Sequence, residues 1–260
     1  MNWDDFKFYI FALMKNEYTI ATRAALRAGE AILKVYGEED FGIETKADET
    51  PLTRADREAH RIIREALEET GIPLLSEEGR NIPYEERRDW KQFWLVDPLD
   101  GTKEFINRNG EFTVNIALIE EGRTEFGVVF APYIGELYVG LPGMGSFRCT
   151  KKKHFDQPLE YLVQFADELP LEKGDEHEFY RVVASRSHFN SETKMFIDFL
   201  ELEGKKISLV NKGSSLKLCM VATGEADLYP RLGPTMEWDT AAAHAVVKAT
   251  GKNVYRIDNG

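Results

Sequence analysis

The chain has 260 residues, of which 43% are hydrophobic and 30% are charged, and its formal net charge is −12 at pH 7. This length and composition allow one large hydrophobic core or two smaller ones. The excess of acidic residues argues against binding to the phosphate backbone of a nucleic acid polymer. No run of about 18 apolar residues is present, and the N-terminus does not resemble a secretory signal, so we predict a cytoplasmic protein with no transmembrane segment.

Hydrophobic periodicity divides the chain into two parts of different character. In the first part, helical patterns at 18–36 and 57–69 precede a series of strand patterns, of which the last three form an antiparallel sheet. Those strands are predicted at 93–96, 112–120, 124–131 and 136–141. In the second part, strand and helix patterns alternate at 180–184, 191–202, 206–210, 216–223, 226–229 and 240–250.

This order of elements predicts two domains. Residues 1–150 are expected to form an α+β domain and residues 151–260 an α/β domain. Because ligand sites often lie at domain interfaces, we expect the functional site between the two domains.

The segment that indicates chemistry most strongly is an apolar strand pattern that leads into Asp97 and Asp100 and then into Gly101 and Thr102. Pro98 has no N–H group and is expected to end the strand. Two carboxylates this close repel each other unless a cation lies between them, and Mg²⁺ prefers oxygen ligands. Gly101 lets the backbone approach a ligand, and Thr102 could hold a phosphate oxygen or orient a water. An ordinary turn with a helix N-cap at Asp100 is the alternative.

Three further acidic segments lie at the ends of predicted elements. A short apolar run leads to Glu77 and Glu78, Asp239 precedes an alanine-rich helix, and Asp56 begins the second helix. Each has an ordinary structural explanation: a solvated loop for the glutamates, a helix N-cap for Asp56, and an N-cap or first-turn position for Asp239. The functional alternatives are a glutamate that binds the same cation as Asp97, a buried Asp239 that needs a charge partner, and an Asp56 that activates water.

Together with the runs 97–105 and 109–118, these segments resemble the inositol monophosphatase superfamily of Mg²⁺-dependent, lithium-sensitive phosphatases, and within it the bacterial 3′(2′),5′-bisphosphate nucleotidases. The resemblance implies a two-domain, layered αβαβα architecture of the sugar-phosphatase type. It also implies hydrolysis of the 3′-phosphate of adenosine 3′,5′-bisphosphate to AMP and phosphate, with 3′-phosphoadenylyl sulfate as a further substrate, in sulfur metabolism. An inositol monophosphatase, or another small phosphomonoester phosphatase of the same superfamily, is the alternative.

The same resemblance implies two to three Mg²⁺ ions. Glu77, Asp97 and the Leu99 carbonyl would hold one ion, and Asp97, Asp100 and Asp239 would hold a second, so that Asp97 bridges the two. A third, weaker ion would share Glu77 and complete its shell with water.

The resemblance further assigns the catalytic pair. Thr102, hydrogen-bonded to Asp56, would orient the attacking water and help to deprotonate it, and the N–H groups of Gly101 and Thr102 would bind the phosphate. Water would then attack in line, with no phosphoenzyme.

Residues in the second half of the chain are expected to choose the substrate, a small molecule. By resemblance, Ser214, Lys217 and Arg231 would bind the phosphate that is not cleaved, and His188 would lie near the base or ribose. For Lys217 the alternative is an exposed helix residue, and for Arg231 a salt bridge at the rim. The residues expected to contact substrate are Glu77, Leu99, Asp100, Gly101, Thr102, His188, Ser214, Lys217, Arg231 and Asp239.

The sequence offers no competing nucleophile. Cys149 and Cys219 lie far apart with no basic loop around either, and we expect both to be buried packing residues in a reducing compartment. A non-catalytic nucleotide-binding protein is disfavoured, because every expected metal ligand and the water activator are present. Loose attachment to the cytoplasmic face of the inner membrane is left open. The family pattern leads us to expect a further polar stretch after 255–258, and this sequence ends at Gly260.

Overall fold

The computed structural model describes residues 14–45, 51–141, 143–171, 178–185 and 189–257. Its helices are α1 (Asn16–Tyr36), α2 (Arg54–Glu68), α3 (Tyr84–Arg87), α4 (Thr102–Ile106), α5 (Leu159–Gln164), α6 (Ser191–Leu202), α7 (Leu216–Thr223) and α8 (Glu237–Ala249), with a short 3-10 turn at Lys152–His154. Its strands are β1 (Glu44–Thr45), β2 (Pro51–Leu52), β3 (Leu74–Ser76), β4 (Gln92–Asp100), β5 (Thr113–Glu120), β6 (Arg123–Ala131), β7 (Glu136–Leu141), β8 (Gly145–Cys149), β9 (Asp167–Glu168), β10 (Tyr180–Ala184) and β11 (Ile207–Asn211).

Helices α1 and α2 pack against each other on one face of the large sheet. The start of α2 differs from the sequence expectation, because the helix begins at Arg54 rather than at 57. Thr53 is the N-cap: its Oγ1 accepts a hydrogen bond from Ala55 N, and Asp56 Oδ2 accepts one from Thr53 N at 2.7 Å. This capping box makes Asp56 the third residue of the helix, so the interpretation of Asp56 as the N-cap is wrong.

The large sheet has seven strands in the order β3-β4-β5-β6-β7-β8-β9. The antiparallel pairing predicted for 112–141 is confirmed. The edge strand β3, which runs parallel to β4, was not predicted, nor were β8 and β9 at the opposite end of the sheet. Alternate side chains enter two cores: Trp94 and Val96 contact the α1 and α2 side, and Leu95 contacts the α7 and α8 side. The sheet is therefore buried on both faces.

The strand β4 does not end at Pro98, contrary to the sequence expectation, but continues to Asp100. Asp97 pairs with Asn115 and Asp100 pairs with Thr113, so β4 uses one more residue than β5 over this stretch. The extra residue is a β-bulge, a position where the missing N–H of proline costs no regular ladder bond. Because Thr113 and Asn115 lie two apart, on one face of β5, the bulge also directs Asp97 and Asp100 to one face.

Helix α8 packs very closely on the large sheet. A Cβ atom added at Gly127 would overlap Ala242 O, and one added at Gly140 would overlap Ala245 O. Two glycines on neighbouring strands and the small residues of α8 therefore let the helix backbone lie directly on the sheet. This contact fixes the position of the first turn of α8.

The remaining elements complete a layered architecture. Helices α7 and α8 cover the second face of the large sheet, α7 also contacts β10 of a two-stranded parallel sheet, β10-β11, and α6 packs on β11. The αβαβα layering predicted for the chain is confirmed. The strand predicted at 226–229 is wrong, since this segment makes only an isolated bridge between Leu228 and Val182. The domain boundary at 150 stays a prediction.

Two other expectations concern buried and apolar residues. Cys149 and Cys219 are buried free thiols, as predicted, and burial raises the pKa of both. Within the described residues, no helix combines the length and apolar character that crossing a membrane requires.

Candidate active site

The predicted site residues converge on one open cleft. Those that line it are Glu77, Asp97, Leu99, Asp100, Gly101, Thr102, Ser214, Lys217, Arg231 and Asp239. Asp56 does not line the cleft but lies one hydrogen bond behind it. His188 lies outside the described residues.

Asp97 is the most deeply buried carboxyl group of the cleft, with 2% of the residue exposed. Its Oδ1 accepts a hydrogen bond from Leu99 N at 3.0 Å, across the bulge. Burial, followed by repulsion from Glu77, Asp100 and Asp239, raises its pKa well above the usual range. Four acidic groups therefore act on one another here, which is the electrostatic condition that a bound cation relieves.

Asp100 is held by the loop that precedes α7. Its Oδ2 accepts hydrogen bonds from Ser214 Oγ and from Ser215 N, both at 2.6 Å. Burial raises the pKa of Asp100 to about 6, although the charge of Lys217 and the Ser214 hydrogen bond oppose the shift. The carboxyl group is thus mostly an anion at neutral pH. Under mildly acidic conditions, protons would compete with a cation for it.

Thr102 and Asp56 form the pair that the resemblance implies. Thr102 Oγ1 lies 3.1 Å from Asp56 Oδ1 and 3.2 Å from the Leu99 carbonyl oxygen. Asp56 Oδ2 accepts hydrogen bonds from Thr53 N and from Thr53 Oγ1, at 2.7 and 2.5 Å. Both oxygens of this buried carboxylate are therefore fixed by donors.

Gly101 connects β4 to α4 in a left-handed conformation, with φ at +90°. A Cβ atom here would lie 3.0 Å from Glu111 O and 3.3 Å from Ser214 Cβ. Only glycine combines this backbone conformation with so close an approach, so the turn that presents the Gly101 and Thr102 N–H groups depends on it.

Asp239 lies in the first turn of α8, as one of the sequence interpretations had it, because the helix begins at Glu237. Its Oδ2 accepts hydrogen bonds from Thr235 Oγ1 at 2.9 Å and from Met236 N at 3.1 Å. The residue is partly exposed at the rim of the cleft.

Two cationic side chains, Lys217 and Arg231, line the same cleft as the acidic groups. Lys217 is 6% exposed, so its interpretation as an exposed helix residue is wrong. Its Nζ donates to Ser214 O at 2.6 Å and lies 5.5 Å from the centre of the Tyr229 ring. Burial lowers the pKa of Lys217, an effect that the charge of Asp100 opposes. Arg231 Nη2 donates to Pro234 O at 3.0 Å, and the described residues show no salt bridge at the rim for this guanidinium.

The donor set fits a hard divalent cation. Within the described residues, hydrogen bonds engage Asp100 through Oδ2 and Asp239 through Oδ2, whereas Asp97 accepts from Leu99 N at Oδ1 and also forms a side-chain hydrogen bond with Glu77. The Oδ1 oxygens of Asp100 and Asp239 remain for a ligand in the cleft, and carboxylate and carbonyl oxygens are what Mg²⁺ binds. Within the same residues, no three acidic, histidine or cysteine side chains form a complete metal site by themselves.

Several residues of the site were not predicted. Ser215 and Tyr229 line the cleft, and Thr113 and Asn115 lie beneath Ser214 and Ser215. The sequence signal that could have identified Thr113 and Asn115 is the occurrence of two polar residues at alternate positions in an otherwise apolar strand.

The fold and the cleft are those of a known class of protein. The model of the inositol monophosphatase family matches residues 13–260, and the chain belongs to that family. Its relatives include the 3′(2′),5′-bisphosphate nucleotidase CysQ of Shigella flexneri, 45% identical over 89% of this chain and 87% of the relative, and that of Escherichia coli K12, 44% identical over the same shares.

A crystal structure of CysQ from Bacteroides thetaiotaomicron superposes with a TM-score of 0.83 and 44% identity, and the match covers 92% of this chain and 88% of that one. The family resemblance inferred from sequence is thereby confirmed, including the resemblance to the bacterial 3′(2′),5′-bisphosphate nucleotidases.

Proposed function

We propose that the protein is a Mg²⁺-dependent phosphatase that converts adenosine 3′,5′-bisphosphate to AMP and phosphate. The observation that carries this proposal is the cleft itself, which is lined by four carboxylates, those of Glu77, Asp97, Asp100 and Asp239, and by two cationic side chains, Lys217 and Arg231, here called the cationic wall. A monophosphate ester needs only the carboxylates and the cations that they bind. A bisphosphate places a second dianion in the cleft, and the cationic wall would bind it. The names of the CysQ relatives support the same substrate.

In this proposal, Glu77, Asp97 and the Leu99 carbonyl would hold one Mg²⁺, and Asp97, Asp100 and Asp239 would hold a second. A third, weaker ion would share Glu77. Bound Mg²⁺ would lower the pKa of water and neutralise the charge of the phosphate.

Thr102 and Asp56 then handle the proton of the attacking water. The single proton of the Thr102 hydroxyl points to Asp56 Oδ1 or to the Leu99 carbonyl, so the lone pairs of Oγ1 are available to accept a hydrogen bond from water. Asp56 is positioned to accept the proton that Thr102 passes on. The N–H groups of Gly101 and Thr102 bind the phosphate that is cleaved.

The cationic wall selects the substrate. Lys217, Arg231 and Ser214 bind the 5′-phosphate, and His188 is assigned to the base or ribose by resemblance alone. The same residues would accept 3′-phosphoadenylyl sulfate. Lithium sensitivity, a cytoplasmic location and loose attachment to the inner face of the membrane stay predictions of the resemblance.

The proposal is tested by measuring phosphate release from adenosine 3′,5′-bisphosphate and from inositol 1-phosphate, with Mg²⁺ and then with a chelator. We expect turnover that needs Mg²⁺ and prefers the nucleotide. A preference for the inositol ester would favour the alternative that the family name suggests, and activity that survives chelation would overturn the role of the carboxylates.

A matched pair of variants tests the cationic wall. Lys217→Met should raise the KM for the nucleotide at least tenfold, because a buried charge that faces the phosphate is lost, and should change turnover of a monophosphate ester less. Lys206→Met, which removes an exposed lysine paired with Glu178, is the control. Equal effects of the two substitutions would contradict the assignment.

A further inference from the structure

Two buried polar residues beneath the cleft have no part in the function described so far. Thr113 and Asn115 are 0% and 1% exposed, on the strand β5, whose other buried residues are apolar. They pair across the sheet with Asp100 and Asp97, respectively. A buried polar pair costs free energy unless it is hydrogen-bonded, so its partners indicate its purpose.

The partners form a chain of hydrogen bonds that ends at Asp100. Thr113 Oγ1 lies 2.6 Å from Ser214 Oγ, which donates to Asp100 Oδ2 at 2.6 Å. An ionised carboxylate can only accept, so the single proton of Ser214 is directed to Asp100. Thr113 must therefore donate its own proton to Ser214.

Asn115 supports this direction from behind. Its Nδ2 donates to Thr113 Oγ1 at 3.0 Å, so the Thr113 oxygen accepts on one side and donates on the other. Ser215 Oγ lies 2.7 Å from Asn115 Oδ1 and 2.8 Å from Thr113 Oγ1, and its proton can go to either. In both arrangements the proton of Thr113 stays directed to Ser214.

The backbone of Ser214 shows that its position is imposed by these contacts. Its φ is +55°, in the left-handed region that a serine rarely adopts. The hydrogen bonds of its Oγ to Thr113 and to Asp100 hold it there. A residue kept in an unfavourable conformation by its surroundings is a common feature of functional sites.

We propose that Thr113 and Asn115 are positioning residues that orient the Ser214 hydroxyl toward Asp100 Oδ2 and so direct the other oxygen of Asp100 into the cleft to bind Mg²⁺. The proposal rests on the proposed function, since it takes Asp100 as a Mg²⁺ ligand. It explains why a strand buried on both faces carries two polar side chains directly opposite the two aspartates. Partners of metal ligands that lie one step behind them typically change metal affinity ten- to a hundredfold when they are removed.

The test measures Mg²⁺ binding to the full chain by titration calorimetry without substrate, beside the thermal unfolding midpoint in chelator. Thr113→Val keeps the shape of the side chain but removes the donor, and we expect it to weaken Mg²⁺ binding tenfold or more. Thr113→Ser restores the donor and should bind Mg²⁺ within about threefold of the natural chain. Thr22→Val is the control, because the Thr22 hydroxyl is equally buried but donates to Tyr18 O on the far side of the sheet.

Equal Mg²⁺ affinity of Thr113→Val, Thr113→Ser and the natural chain would overturn the inference while leaving the proposed function intact. A natural chain that binds no Mg²⁺ would instead overturn the proposed function. If Thr113→Val does not fold, Asn115→Leu tests the same relay, meaning the chain of hydrogen bonds from Asn115 through Thr113 and Ser214 to Asp100. It removes the donor to Thr113 Oγ1. A combined Thr113→Val and Ser214→Ala chain should lose no more affinity than Ser214→Ala alone, because both act through one hydrogen bond, and additive losses would contradict the relay.

Discussion

The helices α2 and α8, which supply Asp56 behind the cleft and Asp239 at its rim, begin in the same way but present these aspartates differently. In α2 and in α8, the third residue is an aspartate whose Oδ2 accepts a hydrogen bond from the N–H of the N-cap residue, at 2.7 Å for Asp56 and 3.1 Å for Asp239. Asp56 is buried, and its other oxygen faces Thr102. Asp239 is partly exposed, and the other oxygen of its carboxylate remains for a ligand in the cleft.

Under the proposed function, one local motif serves two chemical purposes. The capping interaction fixes one oxygen in both helices, and the second oxygen is assigned to proton transfer in the buried Asp56 and to a cation in the partly exposed Asp239. A capping box in a sequence thus locates such an aspartate in space without revealing its role.

The largest effect is expected from Asp56→Asn. Loss of the proton acceptor behind Thr102 should lower kcat by about 10² to 10⁴-fold, with little change in the Mg²⁺ concentration that gives half-maximal activity. Glu58→Gln, in the same helical turn but half-exposed and paired with Arg61, is the control. A changed Mg²⁺ concentration for half-maximal activity with kcat preserved would instead make Asp56 a metal ligand. Asp56 and Asp239 would then have the same role.

Asp239→Asn should change the Mg²⁺ requirement more than kcat, which is the opposite of what we expect for Asp56→Asn. Removal of one charged ligand should raise the Mg²⁺ concentration for half-maximal activity by about ten- to a hundredfold, and saturating Mg²⁺ should restore much of kcat. Glu237→Gln removes a neighbouring charge that pairs with Arg87 and serves as the control. A loss of kcat that excess Mg²⁺ does not recover would contradict the assignment.

Asp97 and Asp100, the aspartates of β4, should make the free energy of unfolding depend on pH. Asp100 has an ordinary pKa of 3.8 and a pKa of about 6 in the folded chain, so between these values the folded state holds more protons than the unfolded state. The free energy of unfolding in chelator should therefore fall as pH rises through this window, by about 3 kcal/mol. Added Mg²⁺ binds the deprotonated groups, so the difference in Tm between Mg²⁺ and chelator should grow by several degrees from pH 5 to pH 7. A constant difference would contradict this coupling.

The smallest effects are expected at the threonines that hold the two aspartates. Thr53 is buried and donates to Asp56, so Thr53→Ala should lower the free energy of unfolding by about 1–2 kcal/mol. Thr235 is exposed, and Thr235→Ala should change it by less than about 0.5 kcal/mol. Urea unfolding measures both, and Thr53→Ser, which keeps the cap, should stay near the natural chain. Equal losses at the two positions would show that burial does not distinguish the helix starts.

Sequence reasoning identified most of the elements and most of the cleft. Helix α1 and the antiparallel strands follow from strong periodicity, and the acidic segments follow from residue type and position. Two element boundaries were wrong. Pro98 does not end β4, because a β-bulge accommodates it, and α2 begins at Arg54 rather than at 57, because Thr53 caps it.

The supporting residues were hidden for a different reason. Thr113 and Asn115 belong to a strand whose pattern predicts only burial, and their partners Ser214 and Ser215 lie about a hundred residues later in the chain. No local spacing reveals such a contact. Lys217 was placed in the site by resemblance alone, since its helix pattern fits an exposed residue equally well.

The contact between α8 and the large sheet has a consequence for redesign of this protein. Replacing glycine by alanine in a strand is a common way to increase stability. At Gly127 or Gly140, however, the added methyl group would push α8 outward and move Asp239 away from Asp97 and Asp100. The position of Asp239 at the rim of the cleft therefore depends on two glycines that do not line it.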